Sequence, residues 1–520
     1  MNFQAVHRLL GFVILIVAGF LLVPAGVGWI YTETEAAWAF VWAALATTVP
    51  GAFLVLRGRA ERLRLAAAVA ADPAAASKVD NTRFYRREGL AVVGLSWLVA
   101  GLAGAVPYLF TGTFDSWVNA FFESVSGFTT TGSTVMSAGQ IDGMSHAVAF
   151  WRSFTHWLGG FGIVMVFVVL FPTGGRSLFR SEVPGVDREA AHQRVHDSAL
   201  MLMRIYVGIS VIECVLLYFV GGIGLFDSVL HTFGTIATGG FSNHSASVGY
   251  FDSVPVEVIL TTFMFLCGFN FALYDKLLRV GPRPFWRSLL GSSEALAYVG
   301  IAVGATLLIA TVLWLDGGSN GMAQDPTSSL RDYRSFWQAV RDSSFTVVCM
   351  QTSTGYGTAD FDAWPQFCRV LCMGLAVIGA CAGSTGGGIK MVRMMIVAKA
   401  ALGGVRRFVR PRAVQSVRMD GEALSEPVVA SVTGYFALWV FVFMGGTLFL
   451  TAFGTDLETA GSAVLATLNN IGPGLHFVGG TQNYDHFHDL VKVVLSLFMI
   501  LGRLEFYALV ALCVPGFWRR

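Results

Sequence analysis

Charge is what this 520-residue chain has least of: Asp, Glu, Lys and Arg make up 13% of it, against 54% hydrophobic residues. With a mean hydropathy of +0.62, such a composition cannot fill a soluble core and still leave enough polar surface. The chain belongs in a lipid bilayer, with no nucleic-acid partner expected. No Gly-Lys dipeptide occurs, which excludes a phosphate-binding Gly-x-x-x-x-Gly-Lys loop, and no His-Glu-x-x-His metal site is present. With no nucleotide-binding fingerprint, any energy or regulatory coupling must come from elsewhere. Cysteine is scarce too: the seven (Cys214, Cys267, Cys349, Cys368, Cys372, Cys381, Cys513) lie in or beside apolar runs. A free Cys there behaves as a small hydrophobe, so no disulfide framework is expected.

What the chain does have is apolar runs of about 20 residues, the length that crosses a bilayer. Ten spans are expected, near 8–30, 37–56, 88–110, 146–171, 199–222, 254–275, 293–315, 363–400 (interrupted), 427–452 and 488–515. Four shorter apolar stretches, near 117–128, 228–237, 341–351 and 460–469, are read as re-entrant half-spans. Basic residues crowd the loops on one side: Arg57 to Arg87, Arg176 to Arg194, Lys276 to Arg287 and Arg406 to Arg418. The positive-inside rule makes that side cytoplasmic, with both termini on it. Residues 8–30 are expected to stay as a membrane helix rather than leave as a secretory signal, because the run is long and a second span follows at once.

A short stretch occurs four times, each after an apolar run: Thr130-Thr131-Gly132, Ala237-Thr238-Gly239, Ser353-Thr354-Gly355 and Asn470-Ile471-Gly472. The glycines lie 107, 116 and 117 residues apart (239−132, 355−239, 472−355). A near-constant long period implies repeated structural units. Each unit reads as span, half-span, polar Gly turn, span. The expected fold is an all-α polytopic membrane protein with four helix–pore loop–helix repeats in pseudo-fourfold symmetry around one pore, plus an N-terminal helical hairpin. The expected segments are a hairpin 1–56, a basic cytoplasmic linker 57–87, and repeats at 88–194, 195–288, 289–420 and 421–520. Irregular backbone at membrane depth is tolerated only when buried in protein or lining a watery cavity. Four glycine turns around one axis could aim carbonyls at a dehydrated K⁺. No carboxylate adjoins any of the four glycines, which disfavours Ca²⁺ or Mg²⁺.

These turns, with the leading hairpin and the stretches Gly383-Ser384-Thr385-Gly386-Gly387-Gly388-Ile389-Lys390 and Asn469-Asn470-Ile471-Gly472-Pro473-Gly474, resemble the Trk/Ktr/HKT superfamily of cation transporters, in particular its bacterial TrkH-type potassium uptake subunits. The resemblance covers essentially the whole chain. It implies K⁺ uptake across a bacterial inner membrane, with a selectivity filter at the four turns. It also implies a homodimer and a cytoplasmic, nucleotide-binding TrkA-type regulatory subunit. Gly at position 132, where Na⁺-preferring plant relatives tend to carry Ser, points to K⁺ within that resemblance.

Two features suggest a gate. Residues 379–388 hold five glycines and no bulky side chain inside an expected span, where helix propensity is poor. Gly383, Ser384, Thr385, Gly386, Gly387 and Gly388 are therefore candidates for a mobile loop, as the family resemblance also implies. Close packing of small residues at Gly379, Gly383 and Gly387 is the alternative. Arg503 stands among Ile500, Leu501 and Leu504. A buried Arg faces a cavity or a partner, and the resemblance implies that it narrows the pore beneath the filter. Lys390 is read as snorkelling to the cytoplasmic surface. Two other functions stay open: a symporter coupling K⁺ to Na⁺ or H⁺, and an intramembrane serine hydrolase using Ser384, whose surroundings lie one residue from a Gly-x-Ser-x-Gly pattern.

Overall fold

The computed structural model describes residues 2–71, 86–162, 195–316, 333–410, 416–504 and 506–518. The basic group Arg176 to Arg194, most of the expected outer insert 316–334, and Glu505 fall outside them. The hairpin consists of α1 (Phe3–Phe20), α2 (Leu22–Ile30) and α3 (Thr34–Ala71), so α3 runs on well past the expected end of its span. Its two arms meet through small residues: a Cβ on Gly11 would come within 2.8 Å of the Gly51 carbonyl and of Val55. Such backbone approach is how helices pack where lipid removes the hydrophobic drive.

The first unit contains α4 (Arg86–Phe110), α5 (Trp117–Phe128), α6 (Ala138–Asp142) and α7 (His146–Phe161). The second contains α8 (Val195–Phe219), α9 (Leu225–Ile236), α10 (Val254–Cys267), α11 (Phe271–Val280) and α12 (Pro282–Gly291). The third contains α13 (Ser293–Asp316), α14 (Phe336–Gln351), α15 (Gln366–Val377) and α16 (Met391–Val409). A small antiparallel ribbon, β1 (Arg418–Met419) and β2 (Glu422–Ala423), precedes the fourth. That unit contains α17 (Glu426–Ala452), α18 (Leu457–Leu468), α19 (Asp489–Arg503), α20 (Tyr507–Cys513) and α21 (Pro515–Trp518).

The expected half-spans are the helices α5, α9, α14 and α18. Side chains of Ser116 and Asp456 cap the first and last by accepting the Asn119 and Thr459 amides, which fixes where these short helices begin. Each packs against the long helix before it (α4, α8, α13, α17) and the helix after it (α7, α10, α15, α19). Each also touches the preceding unit: α9 packs on α7, α14 on α10, α18 on α15, and α5 on α19. The last contact joins the fourth unit back to the first. The ring is closed, and every short helix is wedged between two units.

Six segments among the described residues, α1 with α2 counted as one, are long and apolar enough to cross a bilayer, and α10 with α11 makes a seventh candidate bent by 91°. Of the ten expected spans, 146–171 lies partly outside the described residues, and 363–400 is divided into α15 and α16 by the glycine-rich stretch. The last expected span is also broken: α19 stops at Arg503, and Phe506 takes φ 66° before α20 begins. Phe506 is fully buried and packs edge-on against Tyr435, which offsets the left-handed backbone.

Candidate functional site

The four short helices end at Phe128, Ile236, Gln351 and Leu468. Two residues on, the backbone turns left-handed at Thr130 (φ 53°), Thr238 (φ 55°), Ser353 (φ 60°) and Asn470 (φ 53°). For residues with a Cβ this is a costly conformation, so four instances at one position mark a shared geometry. Another two residues on stand Gly132, Gly240, Gly355 and Gly472. In the second turn the equivalent glycine is thus Gly240, with φ 77° beside 85° at Gly132 and Gly355. The sequence spacing points to Gly239 instead; Ala237, Thr238 and Gly239 each sit one place earlier in the common register than that reading implies. The adjacent pair Gly239-Gly240 conceals the register, and only the count from the helix end reveals it.

Backbone meets backbone all round the ring. A Cβ on Gly132 would overlap the Gly239 carbonyl oxygen, and one on Gly240 the Thr354 carbonyl oxygen. On Gly355 it would stand 3.0 Å from the Gly472 nitrogen, and on Gly472 2.8 Å from the Gly132 carbonyl carbon and oxygen. Turns one, two, three, four and one again are therefore neighbours in that order. Thr130, Thr131, Ala237, Thr238, Ser353, Thr354, Asn470 and Ile471 are all buried. Hydroxyl pairs brace the turns from behind, with Thr129 to Thr131 at 2.7 Å and Thr352 to Thr354 at 2.8 Å. The Asn470 amide donates to Thr131 Oγ1 (3.0 Å) and the Met499 carbonyl (2.8 Å), tying turn four to turn one.

The fourth turn differs from the rest. Gly472 lacks the positive φ, and its carbonyl accepts from Ser133 and Tyr484, both at 3.1 Å. That oxygen is engaged by protein groups. Thr130 Oγ1 and Asn470 Oδ1, by contrast, are buried without a hydrogen-bond partner among the described residues. All four equivalent glycines line one cavity of about 410 Å³, with Asp252 and Asp360 also in its wall.

Two groups the sequence did not single out secure this region. Arg152 on α7 donates through Nε to Glu123 Oε1 at 2.7 Å and through Nη1 to the Ser242 carbonyl at 2.7 Å. Its guanidinium lies 3.7 Å from the centre of the Phe241 ring. Glu123 in turn accepts from the Thr134 hydroxyl and the Val135 amide. This buried pair joins the chain after the first turn to the chain after the second. His156 adds a second tie: Nδ1 faces the Gly127 carbonyl at 2.8 Å and Nε2 accepts the Phe241 amide at 3.2 Å, which fixes the neutral tautomer. An Arg and a Glu 29 residues apart in apolar surroundings were the available signal, since buried charges are paired. Glu213 on α8 was also missed. It is fully buried, neither oxygen has a hydrogen-bond partner among the described residues, and the nearby Thr235 hydroxyl donates to the His231 carbonyl instead.

Beneath the turns lies the glycine-rich stretch, a non-helical loop whose ends are zipped together: the Gly379 amide donates to the Ile389 carbonyl (2.9 Å) and the Ile389 amide to Val377 (3.3 Å). Its tip touches the ring, since a Cβ on Gly386 would come 3.0 Å from the Thr352 carbonyl, and one on Gly387 would overlap the Asn469 carbonyl. The Gly387 amide donates to Ser353 Oγ. Gly383 and Gly388 use positive φ (75° and 70°). Arg503 donates to the Thr385 carbonyl at 3.0 Å and the Gly159 carbonyl at 2.9 Å, so it holds the loop to the end of α7. Glu294 on α13 accepts the Ala382 (2.7 Å) and Val392 (3.3 Å) amides. Lys390 does not reach for the surface as expected. It is buried, and its ammonium donates to the Gly386 carbonyl within the loop, because that carbonyl has lost its helical partner. Ser384 donates to the Cys381 carbonyl at 2.6 Å.

With this geometry in place, residues 59–517 match the model of the TrkH family, described as a cation transport protein. The chain belongs to the TrkH family. It is 34% identical over 525 residues to the Trk system potassium uptake protein TrkH of Escherichia coli K12, covering all of both chains. It is 37% identical over 441 residues to that of Vibrio parahaemolyticus, covering 83% of this chain and 86% of that protein. The crystal structure of the potassium transporter TrkH from Vibrio parahaemolyticus is similar throughout, with TM-score 0.83, 32% identity and full coverage of both chains. The TrkH family transports cations and is not a family of enzymes, which removes the serine hydrolase alternative for Ser384.

Proposed function

We propose that this chain is a K⁺-selective pore for potassium uptake, with its filter at the four-turn ring and its gate at the loop below. The transported ion is K⁺. The observation that carries the reading is the closed ring itself, four equivalent glycines in backbone contact at the floor of one cavity. Dehydrated K⁺ is held by rings of backbone carbonyls, and the oxygens of Thr130, Thr131, Thr238, Gly239, Ser353, Thr354, Asn470 and Ile471 are the ligands we assign. The loop Gly383–Gly388, Lys390 and Arg503 form the gate. A guanidinium on the ion path is an electrostatic barrier to cations.

The membrane is the bacterial inner membrane, and the basic loops and both termini face the cytoplasm. The pore acts as a homodimer that docks a TrkA-type nucleotide-binding subunit on its basic inner face. These assignments are supported by the kinship with TrkH proteins. Rb⁺ uptake into proteoliposomes containing the purified chain alone tests the reading. Flux that K⁺ competes away and Na⁺ or Li⁺ does not is expected. Flux that requires an imposed Na⁺ or H⁺ gradient and fails in Glu213→Gln would favour the coupled reading, for which the unpaired buried Glu213 is the supporting observation.

A further inference from the structure

The 91° bend between α10 and α11 turns the chain from the crossing direction into the plane of the membrane surface. The two short helices that follow, α11 and α12, carry Lys276, Arg279, Arg283 and Arg287 against the single acid Asp275. They also expose Leu278, Val280, Trp286 and Leu290, each between 56% and 70%. On α12 the pairs Arg283/Arg287 and Trp286/Leu290 each have i, i+4 spacing and occupy adjoining faces. Basic and apolar faces side by side, with a Trp, characterise a helix lying in the headgroup region.

Between α11 and α8 runs a groove lined by Leu200, Met201, Arg204, Ile205, Leu278 and Arg279. Arg279 Nε pairs with Asp275 Oδ1 at 2.6 Å while its Nη2 points to Met201 Sδ. Arg204 is exposed. This groove lies where the apolar span Leu200–Phe219 begins, at the boundary between headgroups and hydrocarbon. Its ligand must therefore present an anion to the arginines and an apolar chain to Leu200, Ile205 and Leu278. We propose that the groove between α8 and α11 is a binding site for an anionic phospholipid, its phosphate held by Arg204 and Arg279. Basic pockets between helices at the cytoplasmic side suit such headgroups, and a free phosphate would gain nothing from the apolar floor.

The same bend is tied to the loop beneath the ring. The Phe271 amide donates to the Gly383 carbonyl (3.0 Å), the Cys381 amide donates to the Gly268 carbonyl (3.0 Å), and the Asn270 side chain fills the space beside Gly383. Lipid in the groove thus holds the position of α11 and, through it, one flank of the loop. This consequence rests on the reading of the loop as the gate; the binding site rests only on the reading of this face as cytoplasmic.

The test uses the full chain in phosphatidylcholine vesicles containing spin-labelled phosphatidylglycerol or spin-labelled phosphatidylcholine. The wild type is expected to immobilise the anionic label preferentially. Arg204→Gln/Arg279→Gln weakens that preference roughly 25-fold, about fivefold for each arginine near an anionic headgroup, and Arg204→Lys/Arg279→Lys retains most of it. Equal immobilisation of the two labels, or an unchanged preference in the Gln variant, overturns the proposal. So does full displacement of the label by inorganic phosphate, which would mark a free-anion site, or loss of the signal on dimerisation, which would mark a protein interface. Rb⁺ uptake separates the two readings: preferential labelling without K⁺-competed flux in any lipid would leave the lipid site standing and sink the transport reading.

Discussion

The four-turn ring and the loop beneath it both depend on glycine, but for different physical reasons. In the ring, glycines at 132, 240 and 355 combine positive φ with a neighbouring turn's backbone where a Cβ would stand. Nothing there can move aside without moving a whole unit. In the loop, glycines allow the chain to leave the helix, and charged or polar side chains from elsewhere hold it: Arg503 at Thr385, Glu294 at Ala382 and Val392, Ser353 at Gly387. The ring is fixed by exclusion and the loop by side-chain hydrogen bonds. That difference suits a selecting element above a switching one.

The largest effect should follow from breaking the exclusion. Gly132→Ala or Gly355→Ala adds a Cβ at φ 85°, a conformation that costs about 1–2 kcal/mol even without a clash. Loss of K⁺ over Na⁺ preference by at least about tenfold is expected in competitive uptake, and wild-type preference would undo the distinction drawn above. Next comes the buried pair behind the ring. Arg152→Ala strands the Glu123 carboxylate and should destabilise the protein by about 3–5 kcal/mol, read by thermal unfolding in detergent. Arg152→Ala with Glu123→Gln should recover part of that loss, as a coupling cycle measures.

Releasing the loop should act on flux and leave selection alone. Charge-assisted hydrogen bonds contribute about 1.5–3 kcal/mol each, so Arg503→Ala is expected to raise basal Rb⁺ flux by about tenfold with K⁺ preference intact. Deleting several residues within Gly383–Gly388 should do the same. Unchanged flux in both would reduce the loop to helix packing.

The smallest effect concerns the turn between α2 and α3 of the N-terminal hairpin. Burial would raise the Glu33 carboxyl, but the His146 and Ala147 amides and the His146 ring outweigh it and leave it below its ordinary 4.5. A carboxyl lowered on folding contributes stability above that ordinary value and loses it as pH falls through the lowered one. Thermal stability should therefore fall below about pH 4.5 less steeply in Glu33→Gln than in the wild type; identical acid profiles would remove Glu33 as a hairpin anchor.

Much of this was legible in the chain. Trp117–Phe128 was readable as a half-span because its apolar run stops at a polar glycine turn, and the helix occupies those residues. The register of the second turn was not, because two adjacent glycines satisfy the same spacing and only the distance from Ile236 separates them. Nor was the bend after Cys267, since Gly268-Phe269-Asn270 carries no strong break signal and the bend is held by hydrogen bonds to Gly383 and Cys381, more than 100 residues away. Lys390 was misread for a related reason: snorkelling presumes a helix with satisfied carbonyls, whereas Gly386 offers a free one.

The most direct test of the ring as the selecting element is the ratio of K⁺ to Na⁺ uptake in proteoliposomes for the wild type and for Gly240→Ala. A strong preference for K⁺ in the wild type that collapses in the variant is the expected result. A Gly240→Ala protein that folds and keeps the wild-type ratio would contradict it.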